Sequence, residues 1–474
     1  MPSARASFAG VIVHSLTLFA FGAERKMRVG VGTRIPVQAR RVFNIALPAI
    51  GEAYLQNLLG VVDTFFIARL GLIAIDAVGV TNVYSMTYIG VFTAVSAALS
   101  VFLSRAVGAK NKERSHSVIW HGFVIAFMIG LFASLISLFF AVPLLHVMGA
   151  QGILQSTALP YFTVVLGISP FIALFTAQSA AFRAIGDTKT PFRVGLEMNG
   201  LHVVFDYVLI FGVGPFHGFG IKGAAVAMVF ARLYALIRLW QKSRSVNTLT
   251  LRVSDLKLST SLCWSMTQFA IPAALERLSM RLGQVVYFGL IVRIGIDVYA
   301  THNIAGTITT FGSAIGNGFA VATTATIGQA IGSGNESDVR IYRRFSYMES
   351  AVSMTAVAVL LCVLSPWIGL LFTHNPHVIH LLFIILAIDV FSQPFLAAVL
   401  VDTSAIQAGG NSKFPMITTM IGIWGVRTLG VYLFAWRLGF GLPAVWVSIA
   451  ADNALRAWLF LWYRRTRNWV QQLA

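Results

Sequence analysis

Apolar stretches of roughly 20 residues or more recur along the chain from Phe43 almost to its C-terminus. About 20 apolar residues in an α-helix cross a hydrocarbon layer about 30 Å thick. The pattern therefore predicts a series of transmembrane helices rather than a water-soluble core. The approximate spans are 43–70, 76–104, 117–143, 154–182, 189–213, 219–243, 263–293, 298–328, 343–371, 376–408, 413–436 and 441–463.

Composition and charge agree with this prediction. Hydrophobic residues make up 57% of the chain and charged residues only 11%, which is typical of a protein that lies in lipid. The net charge of +18 does not indicate nucleic-acid binding, because the basic residues are spread over several segments between the spans. If the basic loops are cytoplasmic, both termini lie inside and the number of spans is even. We expect a multi-pass protein of the inner (plasma) membrane.

An internal repeat runs through the chain at a constant shift of 224 residues. Pro48 and Glu52 recur as Pro272 and Glu276, and the 186–191 turn recurs as 410–415. Duplication of six helices preserves their direction, so the pseudo-twofold axis should lie along the membrane normal. The predicted fold is an all-α integral membrane protein with about twelve helices in two six-helix bundles.

The repeat also predicts the domain organisation. An N-terminal six-helix lobe occupies 35–243, a cytoplasmic linker 244–260, and a C-terminal six-helix lobe 261–474. Residues 1–34 form an N-terminal extension, and Met27 is an alternative start to Met1. The two cysteines, Cys263 and Cys362, fall in apolar stretches and provide no disulfide or metal framework.

Acidic residues inside spans are candidates for function, because a charge at the centre of a membrane helix costs about 2.5–3.5 kcal/mol on insertion scales. Glu52 and Asp63 share one face of the first span, and that face also carries Gln56. On the fifth span Asn199, His202 and Asp206 share a face. Two such polar faces indicate either a structural polar core or a site that exchanges a proton or binds sodium.

The C-terminal half is less acidic at the equivalent positions. Glu276 repeats Glu52, but Tyr287 stands at the position of Asp63 and Gly430 at that of Asp206. The candidates for substrate or cleft contacts are Gln56, Asn199, Glu276, Tyr287, Asp402 and Arg427. Possible ion-pair partners of Arg277 and Arg281 are Glu349, Asp389 and Asp402, and the sequence does not choose among them.

The sequence carries no motif that indicates an enzyme or an ATP-driven transporter. The sequence contains no phosphate-binding Walker loop, no His-Glu-x-x-His motif, no cysteine cluster and no nucleophile elbow. We therefore expect neither an enzyme nor ATP-driven transport, and no cofactor.

Several motifs together resemble the multidrug and toxic compound extrusion (MATE) family, particularly its DinF-like branch. They cover nearly all of 43–465. The motifs are Leu47-Pro48 through Val62-Asp63, Gly71, the 105–111 turn with Gly108, 182–191, Phe205-Asp206 through Phe211-Gly212, and 220–227.

The resemblance implies efflux of cationic or amphipathic small molecules, driven by inward movement of protons or sodium through alternating access. It implies that Asp63 is the coupling aspartate of the first helix and Asp206 its partner in the fifth. His202 and Met228 replace an Asn and a Thr that are common in the family. Because hard cations prefer oxygen ligands, a proton is favoured over sodium at Asp63 and Asp206.

We therefore predict a proton-coupled antiporter in which Asp63, Asp206, His202 and Glu52 couple the ion. Its partners are amphipathic substrates and the lipid bilayer, and we expect a monomer. The alternative within transport is a lipid-linked oligosaccharide flippase of the same superfamily. A more remote alternative is a membrane-embedded lipid-modifying enzyme that uses His202 and the acids.

Overall fold

The computed structural model describes residues 36–214, 216–250, 258–467 and 469. The N-terminal extension expected at 1–34 lies outside these residues, as does the 251–257 part of the predicted linker.

Fourteen α-helices run through the described chain. They are α1 (Val37–Ala68), α2 (Leu72–Gly108), α3 (Lys112–Phe139), α4 (Ala141–Val147), α5 (Gly152–Gly167), α6 (Ser169–Ala184), α7 (Lys189–Asp206), α8 (Ile221–Ser243), α9 (Thr260–Ile294), α10 (Ile296–Gly332), α11 (Glu336–Leu370), α12 (Pro376–Ala408), α13 (Lys413–Met420) and α14 (Gly441–Thr466). Helix α7 continues as a π-helical turn (Tyr207–Phe211), and α13 is followed by two π-helical segments (Ile421–Thr428 and Val431–Arg437). A short antiparallel pair of strands, β1 (Gly212–Val213) and β2 (Phe216–His217), separates α7 from α8.

The predicted spans correspond closely to these helices. By length and composition, nine helical segments among the described residues could cross a membrane, or ten if α5 and α6 form one bent span. Helices α9 and α10 do not meet that test, although both are long enough to cross. They occupy the positions of the seventh and eighth predicted spans. The all-α membrane architecture predicted from the sequence is confirmed.

The 224-residue repeat is visible in the helix boundaries. Four helices of the first half begin 224 residues before their counterparts, and the pairs are α2 with α10, α3 with α11, α5 with α12, and α7 with α13. The caps repeat as well. Asn111 accepts a hydrogen bond from the backbone N–H of Arg114, and Asn335 accepts one from Asp338, so each asparagine satisfies a free donor at a helix start.

The turns before α7 and α13 are equivalent under the repeat, and their conformations also match. Gly186 and Gly410 have φ values of 94° and 87°, a left-handed conformation that glycine adopts without steric cost. The Asp187 carboxylate accepts a hydrogen bond from the backbone N–H of Thr190 at 3.0 Å. At the equivalent place Asn411 accepts one from Phe414 at 3.1 Å. Both turns thus combine a glycine that ends one helix with a polar side chain that caps the next.

One span differs between the halves. Helices α5 and α6 meet at Ile168 with a bend of 43°, whereas α12 is continuous. Proline occurs at the equivalent position in both, as Pro170 and Pro394, so proline alone does not explain the break. The first half also has Gly167 at the end of α5 where the second half has Phe391, and glycine is a poor helix former.

The chain forms two compact units, one of residues 51–278 and the other of residues up to 50 together with 279–474. Their boundaries fall inside α1, after Ile50, and inside α9, before Ser279. We call the 51–278 part the acidic unit and the other part the aromatic unit, after the side chains described below. The lobes drawn from the repeat, at 35–243 and 261–474, stay a prediction.

Candidate functional site

The acidic unit brings together three of the predicted residues from two helices. Asp63 lies near the end of α1, while His202 and Asp206 lie one turn apart on α7. The Nδ1 atom of His202 is 3.9 Å from Oδ1 of Asp63, and its Nε2 atom is 3.6 Å from Oδ2 of Asp206. One ligand atom from each residue lies within 4.8 Å of the other two. We call these three residues the acidic triad.

Burial is unequal within the acidic triad. The Asp63 side chain is 30% exposed, whereas His202 is 6% and Asp206 is 3% exposed. One oxygen of each carboxyl group, Oδ1, is buried and has no hydrogen-bond partner within the described chain. Two ionised carboxylates this close in a medium of low dielectric repel each other, so the arrangement favours uptake of a positive charge between them. A proton or a small cation would supply that charge.

The local backbone places Asp206 at a structural transition. It is the last residue of α7, and the π-helical turn of residues 207–211 begins directly after it. Such turns widen the helix and often occur at functional sites. Asn199, on the same face as predicted, is buried, and its side-chain oxygen makes no hydrogen bond among the residues described.

Two further side chains influence the acidic triad and were missed in the sequence. Tyr161 of α5 is 4% exposed and interacts electrostatically with both carboxyl groups. Arg232 of α8 interacts with Asp63, and its guanidinium lies 5.7 Å from the centre of the Phe175 ring. Arg232 was detectable as a charged residue in the middle of a predicted span, whereas nothing in the sequence distinguishes Tyr161 from other aromatic residues.

Glu52 occupies a separate place in the acidic unit. Nη1 of Arg183 donates to both of its carboxylate oxygens at 3.1 Å. The expected role of Glu52 in ion coupling therefore has to include a basic partner that the sequence did not reveal. Gln56, expected on the same polar face, is exposed.

The remaining candidates of the seventh span divide between the two units. Glu276 is buried in the acidic unit, and Arg277 interacts electrostatically with it. Tyr287 is buried in the aromatic unit. Arg281 donates to the side-chain oxygen of Gln284 at 3.4 Å. Neither Glu349 nor Asp389 forms an ion pair with Arg281 among the described residues of its unit.

Asp402 and Arg427 are both buried in ion pairs. Asp402 is fully buried and pairs with Arg343 and Arg464 rather than with Arg281. Arg427 pairs with Asp452, whose carboxylate lies 2.6 Å from Nη2 of Arg427. The expectation that Asp402 lines a substrate cleft stays a prediction, and its carboxylate is enclosed by two arginines. A buried charge needs such pairing to offset its desolvation.

Comparison with known proteins agrees with this architecture. The MatE family model matches residues 48–208 and 272–433, two segments that begin 224 residues apart. "Uncharacterized transporter YisQ" of Bacillus subtilis is 30% identical over 91% of this chain and 95% of its own length. "Probable multidrug resistance protein NorM" of Thermotoga maritima is 27% identical over 92% of this chain and 94% of its own.

A solved structure has the same fold. It is described as an outward-facing conformation of a multidrug resistance MATE family transporter of the MOP superfamily. It aligns with a TM-score of 0.83 at 21% identity, over 95% of this chain and 97% of that one. With both repeats matched by the family model and relatives that align over nearly their full length, the chain belongs to the MatE family of membrane transporters.

Proposed function

We propose that this transporter exports cationic or amphipathic small molecules in exchange for protons, and that Asp63 carries the proton. The observation that supports the proposal is the acidic triad, in which two carboxyl groups flank one imidazole in the acidic unit. Asp206 and His202 tune the proton affinity of Asp63. No cofactor is required, because the ion gradient supplies the free energy.

The unequal burial of the two carboxyl groups gives each a different role. Asp63, the more exposed, is the group that gains and loses the proton, and Asp206 keeps a second acid beside it. A proton on Asp63 removes the repulsion between the two groups. Loss of that proton restores a negative charge that attracts a cationic substrate. Proton and substrate thus alternate, which is the requirement for exchange.

The donor set of the acidic triad favours a proton over sodium. Sodium prefers oxygen ligands, and the two carboxyl groups together with the Asn199 side-chain oxygen could offer three. However, the His202 ring lies within 4 Å of both carboxyl groups and presents nitrogen atoms to them. Imidazole accepts and releases protons near neutral pH but is a poor ligand for a hard cation. Met228, also in this unit, adds no oxygen ligand.

Purified protein reconstituted into liposomes tests the coupling ion. We expect an imposed proton gradient to drive counter-transport of a cationic dye such as ethidium, and a proton uncoupler to abolish it. A sodium gradient imposed at equal pH should drive none. Sodium-driven transport that persists with the uncoupler would contradict the proposal.

The distribution of basic residues supports a location and a topology for the protein. We place the protein in the inner membrane as a monomer. Both termini are cytoplasmic, because basic segments flank alternate spans.

A lipid-linked oligosaccharide flippase needs no acidic triad, and the names of the relatives given above do not favour it. A lipid-modifying enzyme would turn over lipid in detergent without a gradient, which a direct assay can detect.

A further inference from the structure

The aromatic unit holds a second cluster, centred on Tyr287, at the position where the repeat places the counterpart of Asp63. The rings of Tyr287 and Phe288 each lie edge-on to the His302 imidazole, with centres 6.2 and 5.0 Å away. The Trp446 ring also contacts His302, with ring centres 5.8 Å apart and an interplanar angle of 60°. The Arg427 guanidinium lies 5.9 Å from the centre of the Tyr287 ring. We call these five residues the aromatic cluster.

Hydrogen-bond donors in the aromatic cluster lack acceptors. The indole N–H of Trp446 and the Nε–H of Arg427 are buried and make no hydrogen bond with any described residue. Both groups are donors only. Nδ1 of His302 is also buried without a partner there. Buried donors without an acceptor are costly, and they indicate a ligand that presents acceptor atoms.

The cationic member of the aromatic cluster, Arg427, shares its ion-pair partner with another arginine. Asp452 is shared by Arg427 at 2.6 Å and Arg456 at 2.8 Å, so two guanidinium groups face one carboxylate. Asp452 and the two arginines are almost completely buried. Arg427 therefore shares its carboxylate partner with a second arginine, and a bound anion would help to offset the desolvation of its guanidinium.

We propose that the aromatic cluster binds the oxyanion group of a small aromatic molecule, such as an aromatic carboxylate or sulfonate. Arg427 and Trp446 donate to the oxyanion, and the rings of Tyr287 and Phe288 contact the aromatic body. Aromatic rings pack well edge-on and offset, which suits a flat ligand. The proposal adds anionic compounds to the range of ligands and goes beyond the exchange of cations for protons.

Binding can be measured without any gradient, by calorimetry on the full chain in lipid nanodiscs, with empty nanodiscs as the blank. The probe is naphthalene-2-sulfonate, and the matched cation is naphthalen-2-ylmethylammonium. We expect the sulfonate to bind and the cation not to compete with it. Inorganic sulfate alone should bind much more weakly, because it has no aromatic body.

Single substitutions identify the donors. Trp446→Phe keeps the ring and removes the N–H, so the Kd for the sulfonate should rise about tenfold. The control is Trp424→Phe, since the Trp424 N–H already donates to Ser279 at 2.9 Å in the same unit. Arg427→Gln should weaken binding at least as much, and it leaves Asp452 paired with Arg456.

Equal effects of Trp446→Phe and Trp424→Phe would overturn the proposal, as would tight competition by the ammonium probe. Sulfate that binds as tightly as the sulfonate would overturn the aromatic part of it. If Arg427→Gln does not fold, the change in sulfonate affinity caused by Trp446→Phe alone decides whether the aromatic cluster binds the oxyanion. Failure of this experiment leaves proton exchange at Asp63 untouched, because no ion gradient enters the measurement.

Discussion

The two halves of this transporter share helix boundaries and caps but differ in chemistry at one equivalent position. In the acidic unit Asp63 faces His202 and Asp206, whereas in the aromatic unit Tyr287 faces His302 beside Arg427. Both places contain a buried histidine, which lies beside two carboxyl groups in one and among aromatic rings near an arginine in the other. Duplication preserved the backbone, and substitution of a few side chains changed the local chemistry.

This difference indicates that the halves have separate tasks. A pair of carboxyl groups can hold and release a proton, and an arginine with unpaired donors cannot. Proton exchange is therefore expected from the acidic unit alone. The following experiments test that division, from the largest expected effect to the smallest.

Removal of the ionisable group at Asp63 should have the largest effect. Asp63→Asn keeps the shape of the side chain but cannot exchange a proton, so proton-driven dye transport in liposomes should fall to the level of empty liposomes. Asp76→Asn is the matched control, because Asp76 is an exposed acid on α2 of the same unit. Substantial transport by the Asp63→Asn variant would exclude Asp63 as the carrier.

A rescue experiment extends this test to the other half. Tyr287→Asp in the Asp63→Asn background places an acid at the repeat position, where Gly430 offers no second carboxyl group and Arg427 lies close. We expect no recovery of proton-driven transport in the same assay. Recovery would show that the aromatic unit is also able to couple protons.

Loss of Asp452 should reduce stability more than any other charge removal discussed here. Asp452→Asn leaves Arg427 and Arg456 buried without their shared anion, and breaking a buried ion pair typically costs about 3–5 kcal/mol. The thermal midpoint in detergent should fall markedly. Glu336→Gln is the control, since its pair with Arg340 is more than half exposed on each side and should contribute about 0–1 kcal/mol.

Substitution at His202 should change the preferred ion. His202→Asn replaces ring nitrogens with an amide oxygen between the two carboxyl groups, which improves the site for sodium. We expect sodium to stimulate transport by the variant with an affinity about tenfold higher than for the parent protein. Sodium titrations of dye transport at fixed pH measure this. Identical sodium curves for the two proteins would mean that His202 does not select the ion.

Glu52 should give the smallest change. Glu52→Gln removes the charge that Arg183 contacts at 3.1 Å, and because Arg183 is 21% exposed, water compensates in part. We expect a loss of about 1–2 kcal/mol in stability with proton exchange retained. A double-mutant cycle with Arg183→Gln isolates the pair. A loss of proton exchange as complete as that of Asp63→Asn would instead place Glu52 in the coupling site.

Much of the fold was predictable because its causes are local. The apolar spans and the repeated 186–191 turn follow from residues close together in the sequence, and the structure has helices and a turn at those positions. The bend at Ile168 was not predicted. Gly167 and Pro170 both lie at this bend, and the equivalent proline in the second half, where the glycine is missing, leaves its helix continuous.

The candidate site was predictable in part. Asp206 and His202 share a helix face, so helical periodicity alone placed them together, and Asp63 was a candidate because it is an acid inside a predicted span. Partners from distant helices were not predictable. Arg183 for Glu52, and Arg343 and Arg464 for Asp402, are separated from those acids by 59 residues or more, and no sequence period links them.

The sequence by itself determined that the chain is a duplicated helical membrane protein, because hydrophobic length and turn chemistry act over a few residues. Only the tertiary structure decided which acids are paired with arginines, as Asp402 is, and which lie beside another acid, as Asp63 and Asp206 do. That choice depends on burial and on distances of a few ångströms between helices, since the cost of a charge in a low dielectric is set by its nearest partner.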